Sequence, residues 1–424
     1  MALLHDADFR RFWAGHTVSA VGTHVTAVAL PLAAALTLDA GAAGVSAIAT
    51  ATYLPSVALP LFAGHWLESR RRRGIMIAAD LLRAVALAAV PVAALLGGLS
   101  LPLLIAVALT VGAASVVFDI AGFAYVPSLV GENDLPAANR ALQGSSTAAQ
   151  VSGPGIAGLL VQSLGPAVAV LADAVSYVAS ALGVTGARRP EPPPVRNPDR
   201  PGMAEGLRQI WVSPFLRSLT AHAALYNAGA QILVVNLVVL AVRERGLSAG
   251  GYGLALSAAG AGAFLGAMLG LRLAARLGYG RAFAASLVLS TGTPLLLPLL
   301  PGRSLSYGVL LGLCQALAGI GLGSANVLSV TVRQVLVPKT SLARSNGAYR
   351  TITYGVLPVG AALGGLLGQS LGSVTAVAIG SVALAGSALP MLTRDIRTVK
   401  DPWTGVRVPV NRTEENRIEE RQTS

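Results

Sequence analysis

The chain has 424 residues, 54% of them hydrophobic and 12% charged, with a mean hydropathy of +0.65; this excludes an ordinary soluble domain and makes a lipid bilayer the solvent. The formal net charge of +12 sits in short basic clusters between apolar runs, and aromatics are 5%, so the sequence offers no continuous basic and aromatic surface for nucleic acid. Cys314 is the lone cysteine, which excludes an intramolecular disulfide and a cysteine metal cluster.

A spanning helix needs about 20 predominantly apolar residues, because hydrocarbon offers no partners to unpaired backbone groups. In chain order this rule predicts twelve spans, at 12–36, 43–66, 75–97, 101–125, 139–164, 166–187, 215–242, 250–271, 281–300, 304–328, 346–371 and 373–393. The first is too long for a secretory leader and is followed by eleven more, so it reads as a retained helix. After the sixth, the run RRPEPPPVRNPDRP breaks regular structure, since its prolines lack donors and fix φ. Residues 202–212, with Leu207, Ile210 and Trp211, read as a short amphipathic helix on the membrane surface. From 395 onward the chain is polar, a cytoplasmic tail.

Arginine placement sets the expected sidedness. One set of connections carries Arg10, Arg11, Arg70 to Arg73, Arg140 and the arginines of 188–208, 272–281, 333–344 and the tail; the other carries Arg243, Arg245 and Arg303. The positive-inside rule makes the first set cytoplasmic, with both termini there; arginine outnumbers lysine 29 to 2, as in a GC-rich bacterial genome, so the membrane expected is a bacterial inner membrane. Trp13, Trp66 and Trp211 fall at or beside cytoplasmic span ends, as an interfacial belt would.

The sequence also repeats itself. At an offset of 206, Phe9 meets Phe215, His16 meets His222, Gly44 meets Gly250 and Arg70 meets Arg276; at 207, Asp119 meets Asn326, Gly158 meets Gly365, and Gln162-Ser163-Leu164-Gly165 meets Gln369-Ser370-Leu371-Gly372. The expected fold is all-α: twelve transmembrane helices in two pseudo-symmetric six-helix bundles, 1–187 and 215–394, joined by a cytoplasmic linker at 188–214 and followed by a tail at 395–424. Parallel repeats of this kind suit a site between halves that rock against each other.

Three stretches carry a resemblance to a known family. Gly64 to Arg73, GHWLESRRRR, is similar to the cytoplasmic-loop motif of the major facilitator superfamily, with Glu68 in the acidic position and Arg72 and Arg73 in the basic ones. Ala149 to Gly158, AQVSGPGIAG, looks like that superfamily's antiporter motif, Gly153, Pro154, Gly155 and Gly158 matching it and Ala149 and Ala157 replacing two glycines. The sets Ala79 to Arg83, Ala138-Asn139 and Ala172 to Tyr177 resemble its drug and siderophore exporter branch, the transmembrane secretion effectors. That branch often has an acid just after the glycine of the first span, where here Thr23 and His24 follow Gly22.

Ionisable groups inside a bilayer cost about 2.5–3.5 kcal/mol on insertion scales and point to function. Asp80 and Arg83, at i and i+3, read as a structural ion pair. Glu68 and Asp119 could latch onto Arg72 and Arg73 when the cytoplasmic face closes; the bland alternative is that these arginines only set topology. His24, near the midplane of the first span, and Asp173, without a basic neighbour on its helix, are candidate proton-coupling groups. The resemblance places Tyr226, Asn227, Gln231, Gln315 and Asn326 on cavity-forming spans, although an amide can equally bridge two helices. No fixed arginine occupies the middle of those spans, which suits amphiphilic or cationic cargo.

The function expected is a secondary active exporter of amphiphilic small molecules (drugs, siderophores or secondary metabolites), working by proton antiport with alternating access. An importer of a small nutrient and a non-transporting scaffold are the alternatives. Expected partners are the cargo, protons and the bilayer, with the chain a monomer and no nucleic acid, cofactor or metal. No catalytic triad, phosphate loop or ligand cluster suggests an enzyme.

Overall fold

The computed structural model describes residues 6–57, 59, 70–131, 134–187, 189, 191, 203–336 and 342–391, and among these it contains helices and no strand. The first half comprises α1 (Ala7–Thr37), α2 (Ala42–Tyr53), α3 (Arg72–Leu95), α4 (Leu101–Val130), α5 (Leu135–Leu164) and α6 (Pro166–Gly186). The short α7 (Met203–Val212) covers the amphipathic stretch expected on the membrane surface. The second half comprises α8 (Pro214–Val238), α9 (Ala249–Leu277), α10 (Tyr279–Gly292), α11 (Ser304–Leu336), α12 (Leu342–Gly355), α13 (Leu357–Leu371) and α14 (Ser373–Ser387).

Among the described residues ten helices are long and apolar enough to cross a bilayer, α12 and α13 together forming one of them. The other two of the twelve positions have separate reasons for falling short. The apolar stretch around α2 runs only over Ala42–Val57 within the described residues. α5 is 30 residues long, about 45 Å at 1.5 Å per residue, but carries Asn139, Arg140, Gln143 and Gln150. The eleventh span is divided near Pro358, which has no N–H to continue the hydrogen-bond ladder.

Element contacts repeat between the halves. α1 packs on α5 and α6, α3 on α4 and α6, and α2 on α4; likewise α8 packs on α13 and α14, α10 on α11 and α14, and α9 on α11. The two halves meet through α5 on α9 and through α2 on α13, positions that the repeat exchanges. Gly165 and Gly372, matched by the repeat, both turn the chain between adjacent spans at φ 86° and 83° with ψ 161° and 160°, a backbone region essentially confined to glycine.

The core tells which end is shut. At the arginine-poor face one apolar cluster runs through both halves, joining Leu32, Ile48 and Val161 to Leu237, Tyr252 and Leu311. Towards the arginine-rich face it gives way to two separate clusters, one around Phe9, Met76 and Tyr125, the other around Leu219, Phe283 and Leu328. The halves are sealed at one end and apart at the other.

Candidate cargo cavity and its seals

Between the halves lies a cavity of about 2030 Å³, walled mainly by α1, α2, α4, α5, α8, α9, α11 and α12, with Leu87 of α3, Tyr177 of α6 and Leu384 of α14 reaching it. Asn139, Arg140, Gly347 and Arg350 stand at its arginine-rich mouth, and Pro31, Val45 and Tyr252 towards its closed end. Its wall mixes aromatics (Phe118, Tyr53, Tyr177, Tyr226) with amides (Gln143, Gln150, Gln231, Gln315) and the imidazoles of His16 and His24. Among the described lining residues Asp119 is the only carboxylate. Such a wall can bind a flat or apolar body by contact and stacking and orient it with a few amides, and its charged groups are Asp119 with Arg140 and Arg350.

The closed end is built from small residues and backbone. A Cβ added at Gly158 on α5 would lie 2.9 Å from the Cα of Gly253 on α9. Gly155 N donates to Ser257 Oγ at 2.8 Å, and Gly250 N to Gln162 Oε1 at 2.9 Å. On the other seam Ser46 Oγ donates to the carbonyl of Ala361 at 2.6 Å, beside Gly365, the repeat partner of Gly158. Asp39 and Arg243, one from each half, form an ion pair above the seams, and Arg243 Nη1 also reaches the Asp39 carbonyl at 3.2 Å. Thus Pro154, Gly155 and Gly158 of the antiporter-like motif lie along the interface between halves. Gly153 meets the Cβ of His24 on α1 instead, while Pro154 borders the cavity.

The other expected site residues divide. Tyr226, Gln231 and Gln315 line the cavity. Asn227 does not, because its Nδ2 donates to the Thr353 carbonyl at 2.8 Å and ties α8 to α12. Asn326 is also outside the enclosed wall; it is exposed one turn past Leu322, on the stripe that Gln315 and Gly319 begin. His24 is half-buried on the wall, whereas Asp173 is fully buried behind it, against Gly22 of α1. Asp80 and Arg83 form a buried ion pair on α3.

Of the proposed latch, Glu68 lies outside the described residues. Arg72 and Arg73 have partners other than Asp119 here: their N–H groups donate to the two carboxylate oxygens of Glu191 at 2.8 and 3.2 Å, and Arg73 Nε reaches the Val184 carbonyl at 3.2 Å. A carboxylate at the start of α3 satisfies N–H groups that no helical turn can, and it meets the positive end of the helix dipole. Asp119 instead faces the guanidinium groups of Arg83 and Arg350. Sequence reasoning had passed over Glu191, inside a proline-rich run with no periodicity to place it, and over the Asp39 and Arg243 pair, whose partners are 204 residues apart.

Comparison with known proteins agrees with this architecture. The sequence model of the transmembrane secretion effectors matches residues 1–421. The multidrug efflux pump Tap of Mycolicibacterium fortuitum is 28% identical over 366 residues, 83% of this chain and 87% of its own. Among solved structures, a bacterial homologue of the iron transporter ferroportin in its inward-facing state superposes with a TM-score of 0.74 at 19% identity, covering 91% of this chain and 97% of that one. The nucleoside transporter NupG gives 0.69 at 16% identity over 91% and 99%; at such identities the likeness is one of fold.

Proposed function

The chain belongs to the transmembrane secretion effector family of the major facilitator superfamily, and we propose that it exports amphiphilic small molecules from a bacterial cytoplasm by proton antiport with alternating access. The observation that carries this reading is the cavity: open on the arginine-rich face, sealed by glycine-lined seams on the other. Under the positive-inside rule that mouth is cytoplasmic, so the conformation is the one that loads cargo from inside. A wall of aromatics and amides favours flat amphiphiles, and its aromatic faces also accept cationic ones. The relationship to a multidrug efflux pump supports the outward direction.

Sidedness is open to a direct check. Reporter fusions at Glu191 and Ser424 are expected to report cytoplasm and one at Gly246 the outside; an external signal at Ser424 would sink the even span count on which the orientation rests.

Transport itself is tested in inverted membrane vesicles, whose cytoplasmic face is outward. Energised vesicles are expected to accumulate a cationic aromatic dye against its gradient, at least several-fold over vesicles lacking the protein, and a proton ionophore should abolish the difference. Accumulation that ignores the ionophore would refute proton antiport, and movement of dye out of the vesicles would refute export. Proton entry requires a membrane-embedded group that each side reaches in turn. We propose His24, on the cavity wall, or Asp173, behind it, for that role.

A further inference from the structure

Between α1, α3, α4 and α6, behind the cavity wall, Asp80 and Asp173 share the neighbourhood of the Arg83 guanidinium, while Asp119, on the cavity side, has Arg350 as well. Asp80 and Asp173 are 0% exposed and Arg83 is 4% exposed. Arg83 gives its ion pair to Asp80. Its guanidinium lies 4.1 Å from the ring centre of Tyr177 and 4.4 Å from that of Phe118, and its Nη1 is 3.4 Å from Ser115 Oγ. Asp173 has the Ser176 hydroxyl donating to Oδ1 at 2.8 Å, while among the described residues Oδ2 of Asp173 and Oδ2 of Asp80 have no hydrogen-bond partner. Asp173, Ser176, Tyr177 and Ser180 form one stripe of α6 at helical spacing. The remaining titratable groups around Arg83 are His16 from α1 and Asp119 from α4, and Tyr177 stands beside Asp173 on α6 itself.

We infer that Asp80, Arg83 and Asp173 form one proton-binding unit in which Arg83 holds Asp80 charged and Asp173 carries the exchangeable proton. Two ionised carboxylates against one guanidinium would leave a bare negative charge in the membrane interior, which is strongly disfavoured. A proton on Asp173 removes that charge and turns an acceptor without a partner into a donor. The path to the cavity is short: the Tyr177 hydroxyl lies 3.0 Å from Thr23 Oγ, and both residues border the cavity. Release delivers the Asp173 proton to cavity water and leaves one net negative charge on the unit. That charge is tolerable while a cationic cargo occupies the cavity, which makes proton and cargo alternate; this last step rests on the export reading above.

The test is infrared spectroscopy on the purified, cargo-free protein, so it needs neither transport nor a gradient. At neutral pH the wild type is expected to show the C=O stretch of a protonated carboxyl group. Asp173→Asn should lose that band and Asp173→Glu should shift it, with His24→Ala leaving it in place. Asp80→Asn keeps Asp173 yet should also lose the band, because Arg83 is then free to pair with Asp173 and hold it ionised. Should Asp173→Asn fail to fold, as gel filtration would reveal, the glutamate and Asp80 variants decide. A band that is absent from the wild type, survives in Asp173→Asn, stays unshifted in Asp173→Glu or persists in Asp80→Asn overturns the assignment. The expected pattern in a protein that moves no dye would instead refute export alone.

Discussion

Gly253→Val is expected to reduce transport at least tenfold while leaving the protein folded and inserted. Gly253 sits on the seam between halves, where an added Cβ would meet the Pro154 carbonyl oxygen and lie 2.8 Å from the Cα of Gly158. Overpacking of this kind costs about 1–3 kcal/mol, and every 1.4 kcal/mol moves an equilibrium about tenfold. The strain exists only while the seam is closed, so the protein can escape it by opening that end rather than by unfolding. The conformation open to the arginine-poor face should gain population accordingly. With Cys314 replaced by serine and a reporter cysteine at Gln315, on the cavity wall, an impermeant thiol reagent applied from that face should label the valine variant at least tenfold faster. Unchanged labelling would show that the halves do not part along this seam.

Gly266→Val is expected to do something different, namely to remove most of the folded protein. Along the contact of α9 with α11, a Cβ at Gly262 or Gly266 would run into the carbonyl oxygens of Ala316 or Ile320, and one at Gly319 or Gly323 into those of Ala259 or Ala263. Backbone meets backbone from both sides, the close approach that small residues permit between membrane helices. Both helices belong to the same half, so no rocking motion relieves the clash. A cost at the upper end of the overpacking range, about 3 kcal/mol, is a large part of the margin of a typical domain. Gel filtration after detergent extraction should show loss of the monodisperse peak, with Gly266→Ala milder than valine. A stable, monodisperse valine variant would mean the helices can separate without cost.

Much of the architecture was legible because lipid enforces it. Backbone groups without water must be satisfied within helices, so apolar runs of about 20 residues announced the spans, and a register held from Phe9 to Gly372 announced two matched halves. Side-chain partners were less legible. Helical spacing says which residues share a face, and the resemblance put Gln231 and Gln315 on cavity-forming spans, where both line the cavity. It does not say what the face meets. Asn227, one helix step from Tyr226, turns to the Thr353 carbonyl because an amide satisfies a neighbouring backbone as readily as it serves a cargo. For Arg72 and Arg73 the sequence supplied charge without a partner, and the nearest carboxylate in space came from Glu191, about 119 residues away along the chain.

The polarity of α5 carries a cost at an earlier stage of the protein's life. Ten helices can enter the bilayer on their own hydrophobicity, whereas α5 gives up some of its own to Asn139, Arg140, Gln143 and Gln150, all facing the cavity. A nascent α5 leaving the ribosome alone would present these groups to lipid. In the folded protein it packs against α1 of its own half and α9 of the other, and joins α6 through the Gly165 turn. Insertion of α5 is therefore expected to depend on these neighbours more than insertion of the apolar helices does.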